Sequence, residues 1–198
     1  MKFGPVPVAS AIGATLAHSQ TIGGKRYRKG RVLTGDDVAA MAAAGVGDVT
    51  VAQLEVGDIG ENDAARRLGE IAAGDNIRLS IANTGRVNLF AATGGLVDFE
   101  PARIDAVNAI DEGITVATVQ RCERVAANQI AATIKIIPFA VAEQALAAAE
   151  TQAGKGCALI TVQPFQPHRV ALLQTTLPGV QAKVLDKTST VIAARVQD

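Results

Sequence analysis

The stretch IRLSIANTGRVNLFAATGGLVDFEPARIDAVNAIDEGITVATVQRCERVAANQIAATIKIIP, Ile77–Pro138, decides the fold class. Ile77 to Ala82 alternates apolar and polar residues, Gly94-Gly95 marks a turn, and Leu96 to Phe99 reads as a short strand. Pro101 suits the first turn of a helix reaching Ile110, because its missing N–H would have no helical partner there. Ile114 to Val119 and Gln129 to Ile137 read as further strands, the second ended by Pro138. A β-rich middle between helix-linked ends predicts a mixed α/β (α+β) chain, with alternating helices and strands and a mixed sheet that is in good part antiparallel.

Upstream, Val8 to Ala17 reads as a short helix, and Gly23 to Arg31 as a glycine-bounded loop or hairpin carrying five basic residues. Thr34 is placed as an N-cap, with Asp36 and Asp37 in a first turn where the helix dipole favours negative charge. Val38, Met41 and Ala42 continue at helical spacing to a stop at Gly45. A strand over Val49–Leu54 and a helix over Glu61–Ala72 follow. Downstream, Val141 to Glu150 is an Ala-rich helix, Thr151 to Gly156 a polar connection, and Ala158 to Val162 a strand. Arg169–Thr175 reads as a buried-type strand, followed by a Pro-Gly loop and a helix over Thr188–Val196. That pattern predicts the opening of a parallel βα unit left unfinished at Asp198, hence a fragment of a longer protein. The alternative is a terminal helix that packs back on its own domain.

Composition narrows the classes. Nineteen basic and nineteen acidic side chains give a net charge of zero, which argues against a protein devoted to holding nucleic acid. With 3% aromatic residues the core must come from Ala, Val, Ile and Leu. No apolar run approaches the roughly 18–20 residues that cross a bilayer, and the N-terminus lacks a signal-peptide pattern. Cys122 and Cys157 stand alone, without CxxC spacing or clustered His, which favours a reducing compartment and no zinc site. The expectation is a soluble cytoplasmic protein with no membrane partner.

Several residues can carry chemistry. The Lys25–Arg31 loop can hold a phosphate or simply be a solvated hairpin tip. In Asn83–Leu89, Arg86 with Thr84 and Asn88 can recognise an anion, or Asn83 and Gly85 can supply turn geometry. Asp111 and Glu112, at a helix end where acids are unfavourable, can bind a cation or move a proton. Lys135 is a lone charge in an apolar strand, either desolvated and functional or merely on the exposed face. An enzyme acting on a small phosphorylated substrate through Arg86, Asp111, Glu112 and Lys135 would need those side chains to converge. No complete phosphate loop, nucleophile motif or zinc-protease motif is present, so the catalytic residues stay unassigned.

A set of segments in order along the chain resembles the N-terminal region of a bacterial family of molybdopterin-binding proteins related to the MoeA type. They are Phe3-Gly4-Pro5-Val6 with Leu16-Ala17-His18, Lys29-Gly30-Arg31-Val32-Leu33 with Asp37-Val38, and Leu54-Glu55 with Gly57-Asp58-Ile59-Gly60-Glu61. Thr84-Gly85-Arg86-Val87-Asn88-Leu89, Asn108 with Asp111-Glu112, Lys135-Ile136-Ile137-Pro138-Phe139 and Leu185-Asp186-Lys187-Thr188 complete the set. The resemblance implies a binding module in molybdenum cofactor biosynthesis, with molybdopterin as ligand, bound fully only in a longer chain. It implies an N-terminal mixed α/β region over 1–165 and, over 166–198, the start of a truncated α/β molybdopterin-binding domain. A nucleotidyltransferase domain follows in many such proteins.

By that resemblance, Thr175, Thr176, Asp186, Lys187 and Thr188 match the part nearest the cofactor pocket, and hydroxyls with a Lys suit a phosphate. Arg86, Asn88 and Lys135 belong to the family pattern and join the candidate cofactor-binding set. Ala-rich faces are compatible with a homo-oligomer, so a purely structural dimerisation domain is a further reading.

Overall fold

The computed structural model describes residues 1–179 and 181–196. It divides into two units, Met1–Phe165 and Gln166–Asp198. The first unit is mixed α+β, with short helices on several small antiparallel sheets built around two hydrophobic cores.

The first core is built by β1 (Lys2–Pro7), a 3-10 turn (Val8–Ser10), β2 (Thr15–Leu16), β3 (Gln20–Ile22), β4 (Lys25–Tyr27), α1 (Gly35–Ala43) and β5 (Asp48–Gln53). β5 lies between β1 and β2, and β3 and β4 form a separate hairpin closed by Gly23-Gly24. The helix expected over Val8–Ala17 is replaced by the 3-10 turn and β2, because Leu16 donates and accepts backbone hydrogen bonds with Arg31 and Gly30. Thr34 caps α1 with a reciprocal capping box: its Oγ1 accepts from the Asp37 amide, and the Asp37 carboxylate accepts from the Thr34 amide. Val8, Leu16, Tyr27, Leu33, Met41 and Val51 fill the space between.

The larger core starts with β6 (Asp58–Gly60) and α2 (Glu61–Ala72), followed by β7 (Ile77–Leu79), β8 (Arg86–Ala91), β9 (Gly95–Asp98) and α3 (Pro101–Asn108). β10 (Ile114–Thr118), β11 (Arg124–Val125), β12 (Ile130–Ile136), β13 (Ala140–Ala142), α4 (Glu143–Ala153) and β14 (Thr161–Pro164) complete it. The main sheet runs β10-β12-β8-β7, a second runs β11-β9-β14, and β13 pairs with β6. Val87, Leu89, Ile134 and Ile136 point inward from the main sheet, and α2 covers them with Ala64, Ala65, Leu68 and Ala72. Gly69 lets α2 approach closely, since a Cβ there would stand 3.1 Å from Val87 Cγ1. Truncating fully buried Leu68 to Ala should cost about 2–5 kcal/mol. Arg67 clamps α2 to α4 through a two-pronged pair with Glu150, at 2.8 and 2.9 Å.

The second unit carries α5 (Ala182–Arg195). Here the sequence expectation fails. Among the described residues, 166–179 form no strand, and Leu173 is 92% exposed. A strand is stabilised by its ladder, and the apolar run Val170–Leu173 has no partner strand. The parallel βα unit is therefore not formed, and every named ladder is antiparallel. α5 also starts earlier than Thr188, so Asp186, Lys187 and Thr188 lie inside the helix rather than at its entrance. The last residues of the helix expected to end at Val196 are followed by Gln197 and Asp198, outside the described residues.

Candidate functional site

The turn before β8 organises the site. Asn83 and Arg86 exchange backbone hydrogen bonds at 3.0 and 3.1 Å, closing a two-residue turn whose middle residues, Thr84 and Gly85, both have positive φ, +48° and +68°. A β-branched residue in the left-handed region is strained. Gly85 is dictated by space as well as φ: a Cβ there would lie 2.6 Å from the Ile136 carbonyl oxygen and 2.8 Å from Glu61 Oε2. Its amide donates to Asn62 Oδ1 at 2.9 Å, and its carbonyl accepts from the Ile136 amide at 2.7 Å. The turn is thus fixed between α2 and β12.

Around it lies a cleft of about 320 Å³ lined by Lys29 and Gly30 from the first core, and by Glu61, Thr84, Lys135, Ile137 and Phe139 from the second. Lys135 Nζ donates to the Thr84 carbonyl oxygen. Lys29 Nζ stands 5.2 Å from the centre of the Phe139 ring, whose neighbour Phe3 is stacked on it at 6.1 Å. Glu61 opens α2, and its amide donates to the Phe139 carbonyl at 2.8 Å. Burial pushes the Glu61 carboxyl above its ordinary range, against the pull of Lys135 and Lys29. No side-chain or backbone donor bonds that carboxyl among the described residues. The cleft therefore offers two ammonium groups, one flat aromatic ring and one open acceptor.

The basic loop is divided between roles. Lys25 and Arg31 are spent on Asp37, which is 1% exposed: Arg31 Nε and Nη2 donate to its two oxygens at 2.7 and 3.1 Å, and Lys25 Nζ approaches to 3.3 Å. Arg31 beside it holds the Asp37 carboxyl well below the usual carboxylate range. Lys29 alone of the loop's cations lines the cleft.

Of the other sequence candidates, Arg86 faces Lys135 directly across the β8–β12 ladder, and Asn88 faces Thr133, whose hydroxyl donates to Asn88 Oδ1 at 2.9 Å. Asp111 and Glu112 line a second depression of about 330 Å³ with Gly113, Ile137 and Pro138. Ile137 borders both, so Arg86, Asp111, Glu112 and Lys135 are neighbours at one end of the sheet without lining one cavity. Asp111 accepts from the Gly113 amide at 2.7 Å, a turn role. Asn108 is occupied structurally, donating to the Val116 carbonyl and accepting from its amide.

In the second unit, Thr175 and Thr176 lie in exposed irregular chain, next to Gln174, whose Nε2 donates to Ser189 Oγ at 2.6 Å. Asp186 and Lys187 are exposed, and the Thr188 hydroxyl donates to the Val184 carbonyl of its own helix at 2.9 Å. Among the described residues no group of three or more His, Cys, Asp or Glu is placed to hold a metal ion, and both cysteines are free and exposed. No helix among them is long and apolar enough to cross a membrane.

Lys29 belongs to the basic loop that charge marks in the sequence, whereas Glu61 and Phe139 each look ordinary in their own segments. All seven cleft residues nevertheless fall within the segments that carry the molybdopterin-family resemblance. Residues 5–53, which build the first core and supply Lys29 and Gly30, match the model of a family described as Domain of unknown function (DUF8806). Comparison with curated proteins and with solved structures gives no match.

Proposed function

We propose that the Met1–Phe165 unit binds molybdopterin in the Lys29–Lys135–Phe139 cleft, as a binding module in cytoplasmic molybdenum cofactor biosynthesis. The observation that carries this reading is the cleft's donor set: two lysines beside a flat aromatic face, with an unpaired carboxyl between them. A phosphate suits Lys29 and Lys135, a planar bicyclic ring suits Phe139, and the N–H edge of a pterin suits the Glu61 carboxylate. The volume, about 320 Å³, is at the small end of ligand pockets, which run from about 300 to 1,000 Å³. That size fits one such molecule held partly open to solvent. Four of the resemblance segments, those containing Lys29, Glu61, Thr84 and Lys135, each supply residues to this cleft. Thr175, Thr176, Asp186, Lys187 and Thr188 remain proposed contacts of a longer protein, in which a homo-oligomer and a downstream nucleotidyltransferase domain are further proposals.

The test is titration of molybdopterin into the chain and into its Lys135→Ala and Phe139→Ala variants. Saturable binding that each substitution weakens supports the proposal; binding indifferent to both refutes it.

A further inference from the structure

The outer face of the main sheet carries basic residues and no acidic ones. In a protein with equal numbers of acids and bases, not one residue in β7, β8, β10 or β12 is acidic. Their three basic residues, Arg78, Arg86 and Lys135, all share the face turned away from α2. Register sets out three rows on that face. Thr115, Lys135 and Arg86 form the first; Ala117, Thr133 and Asn88 the second; Ile130, Phe90 and Arg78 the third. Arg86 and Lys135 stand directly opposite each other, an arrangement of like charges that destabilises a bare ladder. The Arg86 side chain makes no hydrogen bond or ion pair among the described residues, so its guanidinium is free to grip an anion.

One row away is an apolar depression of about 210 Å³, bordered by Ala117, Val119, Ile130 and Thr133. The step from Thr133 to Lys135 is two residues, about 6.6–6.8 Å along a strand. That is the span a sugar bridges between a base and its 5′-phosphate. Asn88 stands opposite Thr133 in the second row, its Oδ1 taken by Thr133 and its amide N–H groups left to donate. Beyond, Arg78 sits 5.2 Å over the Phe90 ring, extending the stacking surface.

We infer that this face binds a nucleoside phosphate, with the base seated at Ala117, Ile130 and Thr133 and the phosphate held by Arg86 and Lys135. Charge complementarity selects an anion, and the apolar seat one row from the cations selects a planar ring attached to it. Lys135 is shared with the molybdopterin cleft, but Arg86 and the depression belong to this face alone.

The experiment titrates GMP, CMP, ribose 5-phosphate and a short single-stranded oligonucleotide into the intact chain by calorimetry. GMP and CMP should bind saturably, weakened about ten-fold or more by Arg86→Glu and by Ala117→Leu, which fills the depression. Ribose 5-phosphate should bind more weakly and ignore Ala117→Leu. Tighter, salt-sensitive binding of the oligonucleotide, lost in the same variants, supports the face with a nucleic-acid strand as the source of the nucleotide. Phe139→Ala should leave all of this unchanged, so failure here is separable from failure of the molybdopterin proposal. Absence of nucleotide binding, equal binding of ribose 5-phosphate, or indifference to both Arg86→Glu and Ala117→Leu overturns the inference. Arg86 is exposed on the strand, so its replacement keeps the test valid should the Ala117 variant fold poorly.

Discussion

Lys135 donates its side-chain hydrogen bond to the backbone carbonyl of Thr84, a residue held at φ +48°. A cation from β12, an inner strand of the sheet, thereby pins a strained turn that lines the cleft. Strain at a β-branched residue costs about 1–2 kcal/mol, so Thr84→Gly should stabilise the fold by relieving it. The same change loosens the turn and should weaken ligand binding. Gly85→Ala should do the reverse of relief, destabilising through contact with the Ile136 carbonyl and Glu61. Thermal unfolding of both variants, with ligand titration beside it, checks the pair.

Glu61 should distinguish two kinds of ligand. Its folded pKa is raised by burial, so above that value it places a negative charge beside Lys29 and Lys135 that would repel an anion bound to them. Inorganic pyrophosphate should bind more tightly as pH falls through that raised value, and Glu61→Gln should bind it tightly without that pH dependence. Molybdopterin should respond oppositely, because Gln replaces one acceptor oxygen with a donor at the pterin edge. Matching responses of the two ligands would remove Glu61 from ring recognition.

Stability carries its own pH signature at Glu61. A raised carboxyl pKa means that the folded state binds more protons than the unfolded one between the two values. Stability then falls as pH rises through that window and levels off above it. Glu61→Gln should remove the fall and stabilise the protein at pH 7, as read from urea unfolding across pH.

Asp37 has the opposite sign. Its folded pKa is depressed by Arg31, so its contribution is complete above the unfolded value of about 3.9 and is lost as pH falls below it. Asp37→Asn should lower the thermal midpoint at pH 7, and the difference from wild type should shrink toward pH 2. The Asn side chain keeps an oxygen able to accept from the Thr34 amide, so the loss reports chiefly on the ion pairs with Arg31 and Lys25.

Arg103 closes the far side of the larger core. Its guanidinium donates to the carbonyls of Ala153, Cys157 and Ala158, at 2.7, 2.7 and 3.1 Å, around the end of α4. Arg103→Ala leaves those acceptors without this donor and should cost about 2–3 kcal/mol. Lys, a single donor group without the planar fork, should restore only part of it. Chemical denaturation of the three proteins checks the order.

Helices were legible wherever a local signal stood at their start. Thr34, Pro101 and the amphipathic run from Glu61 each announce a helix that the structure forms. Strands were legible where apolar residues alternated and hidden where something else governed. β1 contains Pro5 and Pro7, which read against a strand, yet it is an edge strand where a missing N–H is tolerated. β13 is the run Ala-Val-Ala, which has no strand signal of its own and pairs because β6 is beside it. Val170–Leu173 shows the converse: a strong strand pattern with no partner strand among the described residues. The cleft was half legible. Thr84 and Lys135 are visible as polar interruptions of apolar strands and Lys29 as part of the basic loop, whereas Glu61 and Phe139 gain their meaning only from packing between two cores.

The two lysines and Phe139 are proposed to form one ligand site. Its most direct test is the affinity of the chain for molybdopterin in wild type, Lys29→Ala, Lys135→Ala and Phe139→Ala. Binding should be saturable and weakened about ten-fold by loss of either lysine. Loss of the ring should weaken molybdopterin while leaving pyrophosphate almost unaffected. Wild-type affinity in all three variants, or no binding to the intact chain, would contradict that proposal.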